Sequence, residues 1–388
     1  MTDHEATGHT DQPETADAAP PTPDIENRAD APGDAPGRSA SRAKADPKAV
    51  GHTGVEYSPL KRPTAGKLGM RVQRVRERSV VLLFRGASRT IAAVPERLAV
   101  SVAKGAFRAG YHAWPAKRRI IHANASHVLG LPVDDPKVAA LARGIYASYY
   151  RFTLDLMRLP HAPVDEPSRL LIPDGESYQR FLALWERCKA EGHGIIIVSG
   201  HIGSIDIFAG AWAQLGIPTY GLADDTAYPE LFELLNRQRR RWGVTIIPWR
   251  NLREIFKVMK TPAALGMVVD WGYRPDDLPV KLFGAWTTLP AGPATLAART
   301  KAIILPVAAM RQPDGTYRGV AKEPIELTDS KPATLLDATQ RIADALEELV
   351  RPAPDEWFTF KPMWPSTVAE AHALAARAAE LRDGSGAG

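Results

Sequence analysis

Between residues 194 and 308 short apolar runs alternate with segments of helical period, and this alternation restricts the chain to an α/β fold in which helices cover a sheet. The first run, Ile195, Ile196, Ile197 and Val198, is β-branched throughout and is bounded by Gly194 and Gly200, which reads as a buried strand. Further strands are expected at 219–222, 244–249, 264–270, 303–308 and 317–325, with helices at 207–215, 229–241, 252–260, 292–300 and 335–350. Upstream, Tyr178, Phe181, Leu182 and Trp185 place a helix at 177–190. Residues 95–160 form a helical layer, with apolar positions at Leu98, Val102, Phe107, Val138, Leu141, Ile145, Tyr149 and Phe152.

The strand at 195–198 leads into Ser199, Gly200 and His201, and five positions after the histidine stands Asp206. Spacing alone is weak evidence, because His9 with Glu14 and His161 with Glu166 repeat it. His9 lies in a tail rich in proline, alanine and aspartate, and His161 lies in a loop between Pro160 and Pro167, so neither follows a strand. Small residues Gly200, Gly203 and Ser204 permit a tight turn into a helix, which would carry Asp206 about one turn beyond His201, within reach of one ring nitrogen. A carboxylate there fixes the tautomer and favours the imidazolium, leaving the other nitrogen as a general base for a hydroxyl proton. The competing reading is a surface histidine beside a helix cap.

Composition sets the organisation. Residues 1–58 have almost no large apolar side chain and are expected to be disordered; 59–160 form a basic, helical, membrane-associating region; 161–365 form the α/β core; and 366–388 form a C-terminal tail, helical before Gly384. Chemistry is expected at neither end. The formal net charge is +5 in 388 residues, but residues 61–89 hold nine bases, Lys61, Arg62, Lys67, Arg71, Arg74, Arg76, Arg78, Arg85 and Arg89, against Glu77 alone. Within this stretch lie the apolar residues 80–84, and beyond it Ile91, Val94, Leu98 and Val102 recur at helical spacing. Bases beside an apolar helical face suit an anionic bilayer surface, and a solvated charge run is the alternative. No nucleic-acid module is recognised, so nucleic acid is not an expected partner. No run of about 18 apolar residues escapes charge or proline, so a spanning helix is not expected. The N-terminus has no signal-peptide pattern, and the single cysteine, Cys188, fits a reducing compartment and a structural role.

Two downstream features can complete a site. The helix at 229–241 ends in an arginine cluster; its apolar stripe is Leu231, Leu234, Leu235 and Trp242, flanked by Arg239 and Arg241 while Arg240 points away. Arg239 is therefore a candidate for a buried anionic group, and compensation of the helix dipole is the alternative. Asp270 closes the apolar run 267–269, and the carboxyl ends of strands are where α/β sites gather, so it can share a crevice with His201 or simply begin a turn. No clustered cysteine, histidine or acid stands at metal spacing around His201 and Asp206.

In this order the residues resemble the bacterial lipid A acyltransferase family, and more closely its phosphatidylinositol mannoside acyltransferase branch. The resemblance spans residues 95–364 and is carried by RRIIHAN at 118–124, GHIGSID at 200–206, Arg237 with Arg239, Val269 with Asp270, LFG at 282–284, LPAGPA at 289–294 with Leu296 and Ala297, DEW at 355–357, and Trp364. It implies a glycerolipid-acyltransferase-like central mixed sheet flanked by helices, with an N-terminal membrane-associating layer. The implied activity moves a fatty acyl group from acyl-CoA or acyl carrier protein to a hydroxyl of a glycolipid or lysophospholipid, without metal or prosthetic group. The implied place is the cytoplasmic face of the inner membrane, held peripherally. By the same resemblance His201 matches the base, Asp206 its partner in an HX4D motif, Arg239 and Arg237 substrate-binding arginines, and Asp270 a site acid. Lipid A enzymes usually carry glutamate where this chain has Asp206 and usually have a spanning N-terminal helix, and both departures point away from lipid A as acceptor. Two other functions compete. A lipid-ester hydrolase would need a Gly-x-Ser-x-Gly elbow, which is absent; a non-catalytic protein binding anionic membranes would leave His201 structural.

Overall fold

The computed structural model describes residues 67–223 and 229–383. The expected tail at 1–58, Lys61, Arg62 and the end at 384–388 lie outside the described residues, as do the side chains of 67–77 and with them Lys67, Arg71, Arg74 and Arg76.

Four helices come first: α1 (Lys67–Ala93), α2 (Glu96–Ala113), α3 (Pro115–Leu129) and α4 (Pro136–Arg158). Prolines set their limits. Pro95 cannot continue the hydrogen-bond ladder, so Ile91 and Leu98 fall on separate helices rather than along one continuous face. Pro115 and Pro136 each open a helix, where the missing N–H costs nothing, and Asp135 caps α4 by accepting the Lys137 N–H at 2.7 Å. Along α4 the buried Val138, Ala142, Ile145 and Tyr146 recur at helical spacing, and the last three pack with Tyr111 and Ile121.

The core follows as α5 (Glu166–Leu170), β1 (Leu171–Pro173), α6 (Gly175–Glu191), β2 (Ile195–Ser199), α7 (Ile205–Gln214), β3 (Thr219–Ala223), α8 (Pro229–Arg241), β4 (Val244–Pro248), α9 (Leu252–Val258), β5 (Ala264–Val268), β6 (Leu278–Leu282), β7 (Ala285–Leu289), α10 (Gly292–Thr300), β8 (Ile303–Arg311), β9 (Tyr317–Ala321), α11 (Pro332–Val350) and α12 (Val368–Asp383). The expected α/β architecture is present: seven strands form one mixed sheet in the order β1-β9-β8-β2-β5-β3-β4, parallel except between β8 and β9, with helices on both faces.

β2 is central and has no exposed side. Ile196 and Val198 pack into one core with Leu265, Ile304 and Ile342, whereas Ile195 and Ile197 pack into the other with Phe181, Phe208 and Trp212. This is why the strand reads as a continuous apolar run rather than an alternating one. Each such side chain removed from water contributes about 1.5–3 kcal/mol, and four in a row fix β2 in the middle of the sheet.

Three features depart from expectation. β6 and β7 form a hairpin in a stretch outside the expected strands; its turn places Phe283 and Gly284 at φ of 49° and 75°, without the asparagine or aspartate that usually announces such a turn. β5 ends at Val268, so Asp270 lies two residues beyond the strand. The residues from 366 onward are more than a tail: α12 packs on α11 and the hairpin, burying Leu374 and Ala378, and Arg377 donates to the carbonyls of Pro275 and Asp277. The tryptophans Trp212, Trp242, Trp249 and Trp271 also divide. Trp212 and Trp242 are core, Trp249 is half-buried, and Trp271 is partly exposed at the site. Cys188 is fully buried and burial pushes its thiol up to about 11, as suits a structural residue.

Candidate active site

The site assembles where β2 and β5 end. These strands are parallel neighbours with Ser199 opposite Val268, and the Val269 N–H continues the ladder to the Ser199 carbonyl at 3.0 Å. Two residues further along each chain stand His201 and Asp270. His201 Nδ1 lies 2.6 Å from Asp270 Oδ1, and the backbone N–H of His201 donates to Asp270 Oδ2 at 2.7 Å. The indole N–H of Trp357 donates to the same Oδ2 at 2.8 Å. The carboxylate side chain is 0% exposed, whereas the imidazole is 39% exposed. One face of the pair is sealed and the other open.

Close approach depends on two glycines. A Cβ at Gly200 would lie 2.9 Å from Asp270 Oδ2, and one at Gly203 would lie 1.8 Å from the Ala309 carbonyl oxygen. Gly203 also adopts φ of 57°, a region side chains other than glycine's disfavour. Its N–H donates to the Glu356 carbonyl at 3.1 Å, the Ser204 N–H to Ala309 at 3.0 Å, and the Phe358 N–H to the His201 carbonyl at 2.8 Å. The turn after β2 is thus pinned between β8 and the segment 356–358. That segment is in turn held by α3: buried Asn124 donates to the carbonyls of Thr359 and Lys361 and accepts the Met363 N–H, and His127 stacks on Trp364 at 4.2 Å.

Asp206 does not meet His201. Ser204 caps α7 by accepting the Ile207 N–H, and in the first turn of that helix Asp206 faces α8, where Arg239 Nε and Nη2 donate to its two oxygens at 2.7 and 3.1 Å. The expected hydrogen bond from His201 to Asp206 is therefore replaced by two pairs, His201 with Asp270 and Asp206 with Arg239. Arg239 also reaches Asn236 Oδ1 at 3.3 Å. Arg237 lies on the exposed side of α8, between buried Asn236 and Gln238, away from this pairing.

The electrostatics follow from burial and pairing. The Asp270 charge holds the His201 ring above the usual imidazole range, against burial and the Lys361 charge, which pull it down. Burial raises the Asp270 carboxyl, but the His201 charge and the hydrogen bonds from His201 and Trp357 outweigh it and keep the group below the usual carboxylate range. Burial opposes the Arg239 charge and Asp206 more than restores it. An Nδ1–H donated to Asp270 leaves Nε2 as a proton acceptor on the open side, the arrangement of an oriented general base. Trp271 lines that side, edge to face with the imidazole at 5.6 Å. Among the described residues no group of three or more histidines, cysteines or acids is placed to hold a metal ion.

Sequence reasoning did not assign Trp357 a role, although it lies in the DEW run at 355–357. A lone tryptophan gives no sign of which carboxylate its N–H will meet.

An enclosed carboxylate beside an accessible imidazole, set at the carboxyl ends of two parallel strands, is an arrangement that can accept and return a proton. The chain belongs to the bacterial lipid A biosynthesis acyltransferase family, whose pattern matches residues 71–366, and it is an acyltransferase working with an acyl donor and a lipid acceptor. It is 26% identical over 287 residues to the phosphatidylinositol mannoside acyltransferase of Mycolicibacterium smegmatis, covering 71% of this chain and 88% of that protein. It is also 26% identical over 268 residues to the phosphatidylinositol mannoside acyltransferase of Mycobacterium tuberculosis, covering 67% and 79%.

Proposed function

We propose that the protein transfers a fatty acyl group from a thioester, acyl-CoA or acyl carrier protein, to a hydroxyl of a glycolipid or lysophospholipid, with His201 as general base and Asp270 as its orienter. The observation that carries this reading is the 2.6 Å contact between an accessible imidazole and a wholly enclosed carboxylate. Nε2 takes the acceptor hydroxyl proton while the oxygen attacks the thioester carbonyl. The tetrahedral intermediate then collapses, the carbon–sulfur bond breaks, and the imidazolium returns its proton to the leaving thiolate. Asp270 stabilises the positive charge on the ring throughout. The Asp206–Arg239 pair braces the start of α7 beside the base. The reaction so drawn requires no metal or prosthetic group. The names of these two relatives support a phosphatidylinositol mannoside as the first acceptor to try.

The test uses purified protein, palmitoyl-CoA and a phosphatidylinositol mannoside, following acyl transfer by mass spectrometry. His201→Ala is expected to abolish transfer while vesicle binding persists. Unchanged transfer would remove His201 as the base.

The same reading places the enzyme peripherally at an anionic membrane, on the cytoplasmic face of the inner membrane. Supporting it, α1 and α2 expose Leu82, Leu83, Leu98 and Val102, with Trp114 at the end of α2, beside the bases Arg85, Arg89, Arg97, Lys104 and Arg108. Apolar side chains interspersed with cations suit insertion below a layer of anionic headgroups. Among the described residues no helix is long and apolar enough to cross a membrane.

A further inference from the structure

The segment 356–364 lies between α3 and the turn that carries His201, and it is bonded on both sides. On one side Trp357 bridges Ile202 in antiparallel fashion, the Phe358 N–H donates to the His201 carbonyl at 2.8 Å, and the Glu356 carbonyl accepts the Gly203 N–H at 3.1 Å. On the other side stands α3, whose Lys117, Asn124 and His127 share one face at helical spacing. They meet the segment in order along the chain. Lys117 Nζ donates to the Phe360 carbonyl at 2.9 Å, Asn124 Nδ2 donates to the Thr359 and Lys361 carbonyls at 3.2 and 2.9 Å, and His127 stacks on Trp364 at 4.2 Å.

Asn124 is the fixed point of this contact. It is 3% exposed, and besides the two carbonyls its amide reaches Thr359 Oγ1 at 3.2 Å and accepts the Met363 N–H at 3.2 Å. An amide carries two N–H donors and a carbonyl acceptor on one short side chain; alanine in its place would leave buried carbonyls unpaired. Two residues before Thr359, the Trp357 ring is buried against Phe283 and Trp364, with centroids 5.9 and 6.3 Å away. The indole N–H of Trp357 and the backbone N–H of His201 both donate to Asp270 Oδ2, so Oδ1 is the oxygen turned to His201 Nδ1 at 2.6 Å. The place of the indole thus decides how the carboxylate is turned, and the place of the segment decides where the indole lies.

We propose that Asn124 is a positioning residue for acyl transfer: by holding the segment against α3 it sets the Trp357 indole on Asp270 and so fixes the orientation of the carboxylate that meets His201. The inference rests on the acyl-transfer reading for its effect on rate, whereas its effect on the histidine–aspartate pair can be read without substrate. The charges facing the His201 ring are Asp270, which holds its proton, and Lys361 of the same segment, which opposes that. Loss of the indole N–H leaves the Asp270 charge less compensated, and the ring then keeps its proton to higher pH.

The test uses the full chain with nitrogen-15 in its histidines and tryptophans, the His201 ring and the Trp357 indole being assigned by their loss in His201→Ala and Trp357→Phe. In the wild type the Trp357 indole proton is expected to exchange with water far more slowly than that of exposed Trp114; equal exchange would overturn the contact without recourse to any Asn124 variant. Asn124→Ala is expected to move the His201 titration to higher pH, as Trp357→Phe does, and to add little in the Trp357→Phe background. Asn124→Ser, which keeps one donor, is expected to give a smaller shift in the same direction and serves the comparison if the alanine variant does not fold. A lower melting temperature with an unmoved His201 titration would make Asn124 merely structural and refute the proposal. A shift undiminished in the Trp357→Phe background would assign the effect to the Lys361 charge and refute the route through the indole. With palmitoyl-CoA and a phosphatidylinositol mannoside, Asn124→Ala is expected to lower kcat by about tenfold with KM within about twofold of wild type. If the wild-type chain transfers no acyl group at all, the acyl-transfer reading fails, while the titration and exchange measurements still decide whether Asn124 positions the pair.

Discussion

His201 and Asp270 stand at the same step beyond two adjacent parallel strands, so the register of β2 against β5 is what brings the imidazole and the carboxylate together. The carboxylate accepts three hydrogen bonds, two of them from His201 itself. Neither the ring nor the acid has to search for its partner.

Asp270→Asn is expected to lower kcat by about 10²–10⁴-fold, because an amide can hold the ring in the wrong tautomer and does not stabilise the imidazolium. A proposed base at His201 works when neutral, so wild-type activity is expected to rise with pH through a His201 pKa that Asp270 holds above the usual imidazole range. Removing the Asp270 charge moves that acidic limb to lower pH. Asp206→Asn is expected to destabilise the fold by about 1–3 kcal/mol through the unpaired Arg239, and to leave the acidic limb in place. Rate–pH profiles of the two variants check this assignment, and a shifted limb in Asp206→Asn alone would reverse it.

Gly203→Ala places a methyl group inside the van der Waals radius of the Ala309 carbonyl at a positive φ. Strain and the clash together are expected to cost about 3 kcal/mol or more. Thermal unfolding would register this, and a melting temperature equal to that of the wild type would contradict the tight turn.

Burial, with the neighbouring charges of Asp355 and Asp155, pushes the Glu356 carboxyl up to about 7 from 4.5. The folded state therefore binds this proton more tightly than the unfolded chain does. Its favourable contribution is complete below about pH 4.5 and is lost as pH rises through about 7. Glu356→Gln is expected to raise stability at pH 8 by about 1–2 kcal/mol, after allowance for the group's residual exposure, and to flatten the pH dependence between those limits. Denaturant titrations at pH 5 and pH 8 provide the comparison.

Leu82 and Leu83 are 67% and 74% exposed on α1. Replacing both by serine is expected to weaken partition onto anionic vesicles by about tenfold or more, since each inserted leucine contributes on the order of 1–2 kcal/mol. Salt should weaken the initial contact of the bases more than the inserted state. Identical binding of wild type and variant to anionic and neutral vesicles would move attachment to another part of the protein.

Much of this protein was determined by local sequence. Four β-branched residues at 195–198 and the glycines around them define β2 and the turn that exposes His201, and the helix at 229–241 has the limits its proline and arginine cluster indicate. The hairpin β6–β7 was hidden because its turn uses Phe283 and Gly284, and the packing of α12 was hidden because an alanine-rich segment has little apolar contrast. The choice of carboxylate belonged to the tertiary structure alone. Asp206 is five residues from His201, yet the cap at Ser204 begins a helix that turns it toward Arg239; Asp270 is 69 residues away, yet the parallel register sets it beside the ring. A helix fixes direction over one turn, whereas a sheet joins positions whatever their separation along the chain, so only the pairing of β2 with β5 could decide which acid the histidine meets.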